Sequence, residues 1–206
     1  MTQQLVKFFV VFFVVVDPIS LVPLFAGLTQ GASDRYKKSM AGKAAAVALV
    51  ICLLFALVGA KFLQIMGISL NAFRIAGGTL LFLIALDMVS ARTSGTRSTT
   101  SEREEARKRE DISVFPLAFP FIAGPGALAT ILLTAGEVGA KPWQFAGFLC
   151  VVALVLIVCW VSMRATPRLI RFLGVTGANV VSRLSGVILA ALAVQFIIDG
   201  VRGSFF

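Results

Sequence analysis

The residues best placed to do chemistry lie in Asp17-Pro18-Ile19-Ser20-Leu21-Val22-Pro23, set inside an apolar run from Phe8-Phe9-Val10-Val11 to Leu24-Phe25. A carboxylate near the centre of a membrane span costs about 2.5–3.5 kcal/mol on insertion scales. Each proline removes a backbone donor and collides with the carbonyl four residues earlier. Together they predict a helix broken at Asp17-Pro18, with carbonyls released just before Pro18 and Pro23. Irregular backbone at such depth persists only where it is buried in protein or lines a polar cavity, so the stretch marks a site inside a bundle. A second interruption, Gly124-Pro125-Gly126, falls in a later apolar run, with Pro116 and Pro120 before it and Thr130 after it. A broken helix presents amide N–H groups on one half and carbonyls on the other. The first attract a carboxylate, the second an ammonium or a cation. A zwitterionic amino acid supplies both charges. The expected substrate-binding residues are therefore Asp17, Pro18, Ser20, Pro23, Gly124, Pro125, Gly126 and Thr130, near the membrane midplane between broken helices 1 and 4. There the two glycines would let backbone approach a small substrate, and Ser20 and Thr130 would add hydroxyls. Asp17 would pair with the substrate ammonium, bind H⁺ or Na⁺ for coupling, or hydrogen-bond the other broken helix as a structural group.

The elements that must hold this site are helices in a bilayer. The 206 residues are 58% hydrophobic and only 14% charged, and their mean hydropathy is +0.95. A soluble domain has about 25% charged residues, so an all-α polytopic membrane protein is predicted. The net charge of +9 falls between apolar runs, where it orients a membrane protein; no nucleic-acid partner is expected. There are no histidines, no Ser/His or Cys/His pair, no HExxH and no phosphate loop, so neither an enzyme nor a metal site is expected. No organic cofactor is indicated. Cys52, Cys150 and Cys159 stand singly in apolar runs and read as small hydrophobes.

Six spans fit the apolar pattern: about 5–28 with its break, 40–65, 74–90, 112–136, 143–163 and 178–201. All belong to one transmembrane domain, 1–206. The only extended polar stretch, 91–111, carries Glu104/Lys108 and Glu105/Arg109 at helical spacing and reads as a solvated connector. Most of the 19 Lys and Arg fall in or beside loops 29–39, 91–111 and 164–177. Only Lys7, Lys61, Arg74, Lys141 and Arg202 lie on the other side. The imbalance predicts cytoplasmic loops and outward-facing termini in a plasma (inner) membrane.

The halves 1–90 and 112–206 echo each other. Val16-Asp17-Pro18 aligns with Ala123-Gly124-Pro125, Met66-Gly67-Ile68 with Leu173-Gly174-Val175, and Arg74-Ile75-Ala76-Gly77 with Arg183-Leu184-Ser185-Gly186. Three spans per half would insert the second half upside down. Gly/Pro-interrupted segments at matching positions of inverted halves point to a transporter's central site.

Three stretches carry a family resemblance: Asp17-Pro18 to Pro23-Leu24-Phe25; Gly67-Ile68-Ser69 to Arg74-Ile75-Ala76-Gly77-Gly78; and Phe119-Pro120-Phe121-Ile122-Ala123-Gly124-Pro125-Gly126-Ala127. Through them the whole chain resembles the MarC family of integral membrane proteins. The resemblance implies a relation to small six-span transporters of neutral amino acids, some of which move glycine and alanine. Relatives often have Asn where this chain has Asp17, which sets its charge balance and coupling ion apart. Export of another small solute and a non-transport structural role in the membrane are the alternatives.

Overall fold

The computed structural model describes residues 2–90, 111–138 and 142–205. The expected connector, with its two charge pairs, lies outside these except for Asp111, as does Lys141. All regular structure among the described residues is helical. Helix α1 runs Thr2–Val16 and α2 Leu21–Leu28. Helix α3 is Asp34–Ile65, α4 Leu70–Ser90 and α6 Pro125–Val138, while α5, Ser113–Ile122, is a π-type segment interrupted by extended backbone at Phe115 and Phe119. Helices α7, Pro142–Arg164, and α8, Thr166–Phe205, complete the chain. Among the described residues five spans are long and apolar enough to cross a membrane, and six when α5 and α6, which meet at 58°, are counted as one.

Three helix starts differ most from those read in the sequence. Helix α3 starts at Asp34 rather than Met40, so Arg35, Lys37 and Lys38 are helical and loop 29–39 shrinks to 29–33. Ser33 caps the helix, its Oγ accepting from Tyr36 N–H at 3.3 Å, and Asp34 suits the positive helix end. Loop 164–177 is mostly helix: after a turn at Ala165, whose carbonyl accepts from Arg168 and Leu169 N–H, α8 begins at Thr166. Its interruption is Gly174, at φ 64 and ψ 172. The third is α4, which begins at Leu70 rather than Arg74. Gly67, just before it, is also left-handed, at φ 69, a region open to glycine at little cost.

Small residues bring the helices together. One face of α3 buries Ala41, Ala44, Ala48, Cys52, Ala56 and Gly59 at three- and four-residue intervals, while Val50, Leu54, Leu57 and Val58 point outward. That is the division expected of a span with one protein face and one lipid face. Near the chain's start, Phe8 packs on Phe12 and Phe148, with ring centroids 5.3 and 4.8 Å apart. The tightest pair is α4 with α8, and its contacts are reciprocal. A Cβ at Gly78 would lie 2.8 Å from the Ala193 carbonyl oxygen and 2.8 Å from Ile197 Cγ1. A Cβ at Gly186 would lie 3.1 Å from the Ala85 carbonyl oxygen and 3.0 Å from Val89 Cγ2. Gly78 and Gly186, Ala85 and Ala193, and Val89 and Ile197 are each separated by the same interval along the chain.

Asp111 anchors the entry to α5. Its Oδ1 accepts from Ser113 N–H at 2.9 Å and from Ser113 Oγ at 2.5 Å, and its Oδ2 meets Lys43 Nζ at 2.9 Å. The Ser113 hydroxyl, the Lys43 ammonium and the Ser113 amide lower its pKa from 3.8 to about 2. A depressed carboxyl pKa stabilises the fold above the ordinary value and ceases to do so as pH falls through the folded one. Both side chains are about half exposed, so the effect should stay below about 1 kcal/mol. The thermal midpoint of wild-type protein should exceed that of Asp111→Asn at neutral pH, and the gap should close as pH is lowered from about 4 to about 2.

Candidate functional site

The chain leaves helical geometry where an acid precedes a proline. Helix α1 ends on the bond from Asp17 N–H to the Phe13 carbonyl, 2.9 Å. Pro18 disfavours helical geometry for the residue before it, and Asp17 turns to φ 52, the one non-glycine residue with positive φ among those described. Asp and Asn tolerate that region better than other side chains. Four residues later α2 begins. The carboxylate bridges the gap: Oδ1 accepts from the N–H of Ser20, the residue just ahead of α2, at 3.3 Å. Pro23 makes no second break. It occupies the first turn of α2, where its missing N–H would have had no intrahelical partner, and the Ile19 carbonyl four residues earlier accepts from Val22 N–H at 3.1 Å.

The other carboxylate oxygen reaches a residue that the apolar pattern did not single out. Ser182 on α8 donates to Asp17 Oδ2 at 3.4 Å, and Ser20 Oγ donates to Ser182 Oγ at 2.7 Å. Asp17, Ser20 and Ser182 thus close a hydrogen-bonded ring joining the helix break to α8. Asp17 is only 3% exposed, and a polar side chain at such burial needs the hydrogen-bond donors it finds here. Two oxygens with two donors still offer lone pairs to an ammonium, a cation or a proton. Ser182→Ala should remove a donor from Asp17 and an acceptor from Ser20, costing about 1–3 kcal/mol. Thermal unfolding in detergent, with Ser182→Thr retaining the hydroxyl, would measure it.

The second interruption lies beside the first. Helix α6 opens at Pro125, and its first bond runs from Leu128 N–H to the Gly124 carbonyl at 3.0 Å. The N–H groups of Gly126 and Ala127 therefore stand ahead of the helical ladder. A Cβ at Gly126 would lie 3.3 Å from Val15 Cγ1 and 2.6 Å from Leu81 Cδ2, and one at Gly124 would run into the Pro120 carbonyl. Protein atoms thus occupy the space that both glycines leave. Thr130 is buried at 1% exposure, its hydroxyl donating to the Gly126 carbonyl at 2.9 Å. It also forms part of a cavity of about 180 Å³ near the chain's start, shared with Lys7, Arg74, Thr134, Gln144 and Asp199. At about 30 Å³ per water, this space suits a few waters or a small polar solute. Asp199 also accepts from Gln195 Nε2 at 2.7 Å. A wider cleft of about 920 Å³ lies beyond Phe25, between the α2–α3 turn and the junction of α7 and α8. The Asp17 ring sits between the levels of the two cavities, below Val11 on the first and above Phe25 on the second.

Residues 2–205 match the family described as MarC family integral membrane protein. The chain is 36% identical over 201 residues to the UPF0056 membrane protein YhcE of Escherichia coli, covering 97% of this chain and 92% of that one. It is also 36% identical over 207 residues to the UPF0056 membrane protein YvbG of Bacillus subtilis, covering 100% and 97%. A UPF0056 membrane protein of Aquifex aeolicus is 35% identical over 197 residues, covering 96% and 92%. No solved structure matches.

Proposed function

The chain belongs to the MarC family of integral membrane proteins, and on that premise we propose that it is a secondary transporter of small neutral amino acids, glycine- or alanine-like. The observation that carries the reading is the buried Asp17 carboxylate in a non-helical break halfway along a span, held by Ser20 and by Ser182 from another span. Structural anchoring alone needs no acid at that depth, where one is costly. A substrate ammonium can take the place of the Ser182 hydroxyl on Oδ2. The N–H groups of Gly126 and Ala127 offer the carboxylate end a partner of opposite sign. A proton or Na⁺ at Asp17 would couple the cycle to a gradient.

The α4–α8 contacts pair Gly186 with Gly78, one residue on from the Gly77 aligned in the sequence, and Gly77 itself faces α6; that pairing and the positive φ shared by Gly67 and Gly174 support a pseudo-two-fold relation between 1–90 and 112–206. An inverted pair of three-helix halves would move against each other to expose the Asp17 break to one side of the membrane and then the other. The basic residues at 35–43 and 164–171 favour a cytoplasmic position for that end, with outward termini, and bacterial relatives favour the plasma membrane.

The test is flux of labelled glycine and alanine into proteoliposomes of the pure protein, with and without pH and Na⁺ gradients. Gradient-dependent flux above empty liposomes is expected. Its absence, from protein shown to be folded, would remove the amino acid assignment and favour another small solute or a structural role.

A further inference from the structure

We propose that the wide cleft at the α7–α8 junction is a binding site for the phosphate headgroup of an anionic phospholipid. Four cations surround it: Lys37 and Lys38 from the start of α3, Arg164 from the end of α7 and Arg168 from the start of α8. Asp34 is the only carboxylate among its lining residues. The cations form no ion pair with another described residue, so the cleft carries a positive excess. Its two threonine hydroxyls are already committed, Thr29 to the Phe25 carbonyl and Thr166 to the Ser162 carbonyl. A neutral or zwitterionic solute would find little to balance that excess, whereas a phosphodiester would.

The position suits a lipid rather than a soluble anion. The cations flank the apolar stretches of α3 and α7, where a bilayer's headgroups lie and where basic pockets between spans hold acidic lipids. The walls between them are apolar, with Val161 and Ile170 among the lining residues, and can take the start of an acyl chain. Arg164 lies 5.1 Å from the centre of the Trp160 ring, which restrains the guanidinium before any ligand arrives.

The test uses purified full-length protein in a zwitterionic detergent, titrated with phosphatidylglycerol, phosphatidylcholine or inorganic phosphate, and followed by thermal midpoint and native mass spectrometry. Phosphatidylglycerol should bind and raise the midpoint, and the other two should not. Each cation lost should weaken binding about fivefold, so Lys37→Gln with Arg164→Gln should weaken it roughly 25-fold. Asp34→Asn should tighten it by a similar single step, a change that misfolding cannot imitate. Equal effects of phosphatidylglycerol and phosphatidylcholine would overturn the proposal. So would equal effects of inorganic phosphate, or binding indifferent to all three substitutions. None of these results depends on whether glycine or alanine is transported.

Discussion

Asp17→Ala protein is expected to give no amino acid flux above empty liposomes and to be less stable than wild type by about 2–4 kcal/mol. Two losses combine. Alanine pays more than aspartate for the left-handed φ of 52, about 1 kcal/mol. It also leaves Ser20 N–H and the Ser182 hydroxyl without their acceptor, at about 1–3 kcal/mol. Asp17→Asn separates charge from shape. Asparagine tolerates the same backbone and keeps an acceptor oxygen for Ser20, so its stability should stay within about 1 kcal/mol of wild type. It cannot pair with an ammonium as a carboxylate does. Losing a charge-assisted bond of about 1.5–3 kcal/mol corresponds to roughly 10- to 100-fold weaker substrate binding. Flux retained by the Asn variant but indifferent to gradients would assign Asp17 to coupling. Flux and gradient response both at wild-type level would reduce Asp17 to a structural cap and remove the central observation behind the transport reading.

The break at Asp17 was legible because two local signals coincide there: an acid that cannot be exposed to lipid, and a proline that its predecessor must accommodate. Pro23 sent a similar signal with a different result, since a proline in a first turn loses no helical bond, and where that turn begins is not written in the apolar pattern. Ser182 was hidden for another reason. A serine in a span is unremarkable by itself, and its meaning comes from a partner 165 residues away. Short-range periodicity carries no record of that pairing. Arg35, Lys37 and Lys38 read as loop because hydropathy locates the membrane and not the helix, and α3 projects beyond its apolar stretch. The same confusion hid the start of α8. Gly124 and Gly126 were expected to leave room for a substrate, but vacancy in a sequence is filled by whichever neighbour packs there, here Pro120 and Leu81.

Glycines in helices provide the second large effect, and its sign can be set against an internal control. Replacing a helical glycine by alanine ordinarily stabilises, by about 0.4–1 kcal/mol, because alanine has less backbone freedom to lose. Gly42 on α3 is such a position: the nearest atom to an added Cβ is Trp160 Nε1 at 4.0 Å, so Gly42→Ala should raise the thermal midpoint. Gly78→Ala and Gly186→Ala should lower it, each costing about 1–3 kcal/mol of stability. At both sites the new methyl meets a backbone carbonyl, Ala193 or Ala85. A backbone oxygen cannot rotate aside as a side chain can, so relief requires α4 and α8 to separate. The two sites wedge the same pair of helices, so the double variant should cost less than the sum of the singles. Matching losses at Gly78 and Gly186, beside a gain at Gly42, are what reciprocal packing requires. A neutral result at Gly186 alone would mean that the α4–α8 contacts are unequal in energy despite their equal spacing, and would withdraw this support for two inverted halves. A neutral result at both would place the close packing of the bundle elsewhere.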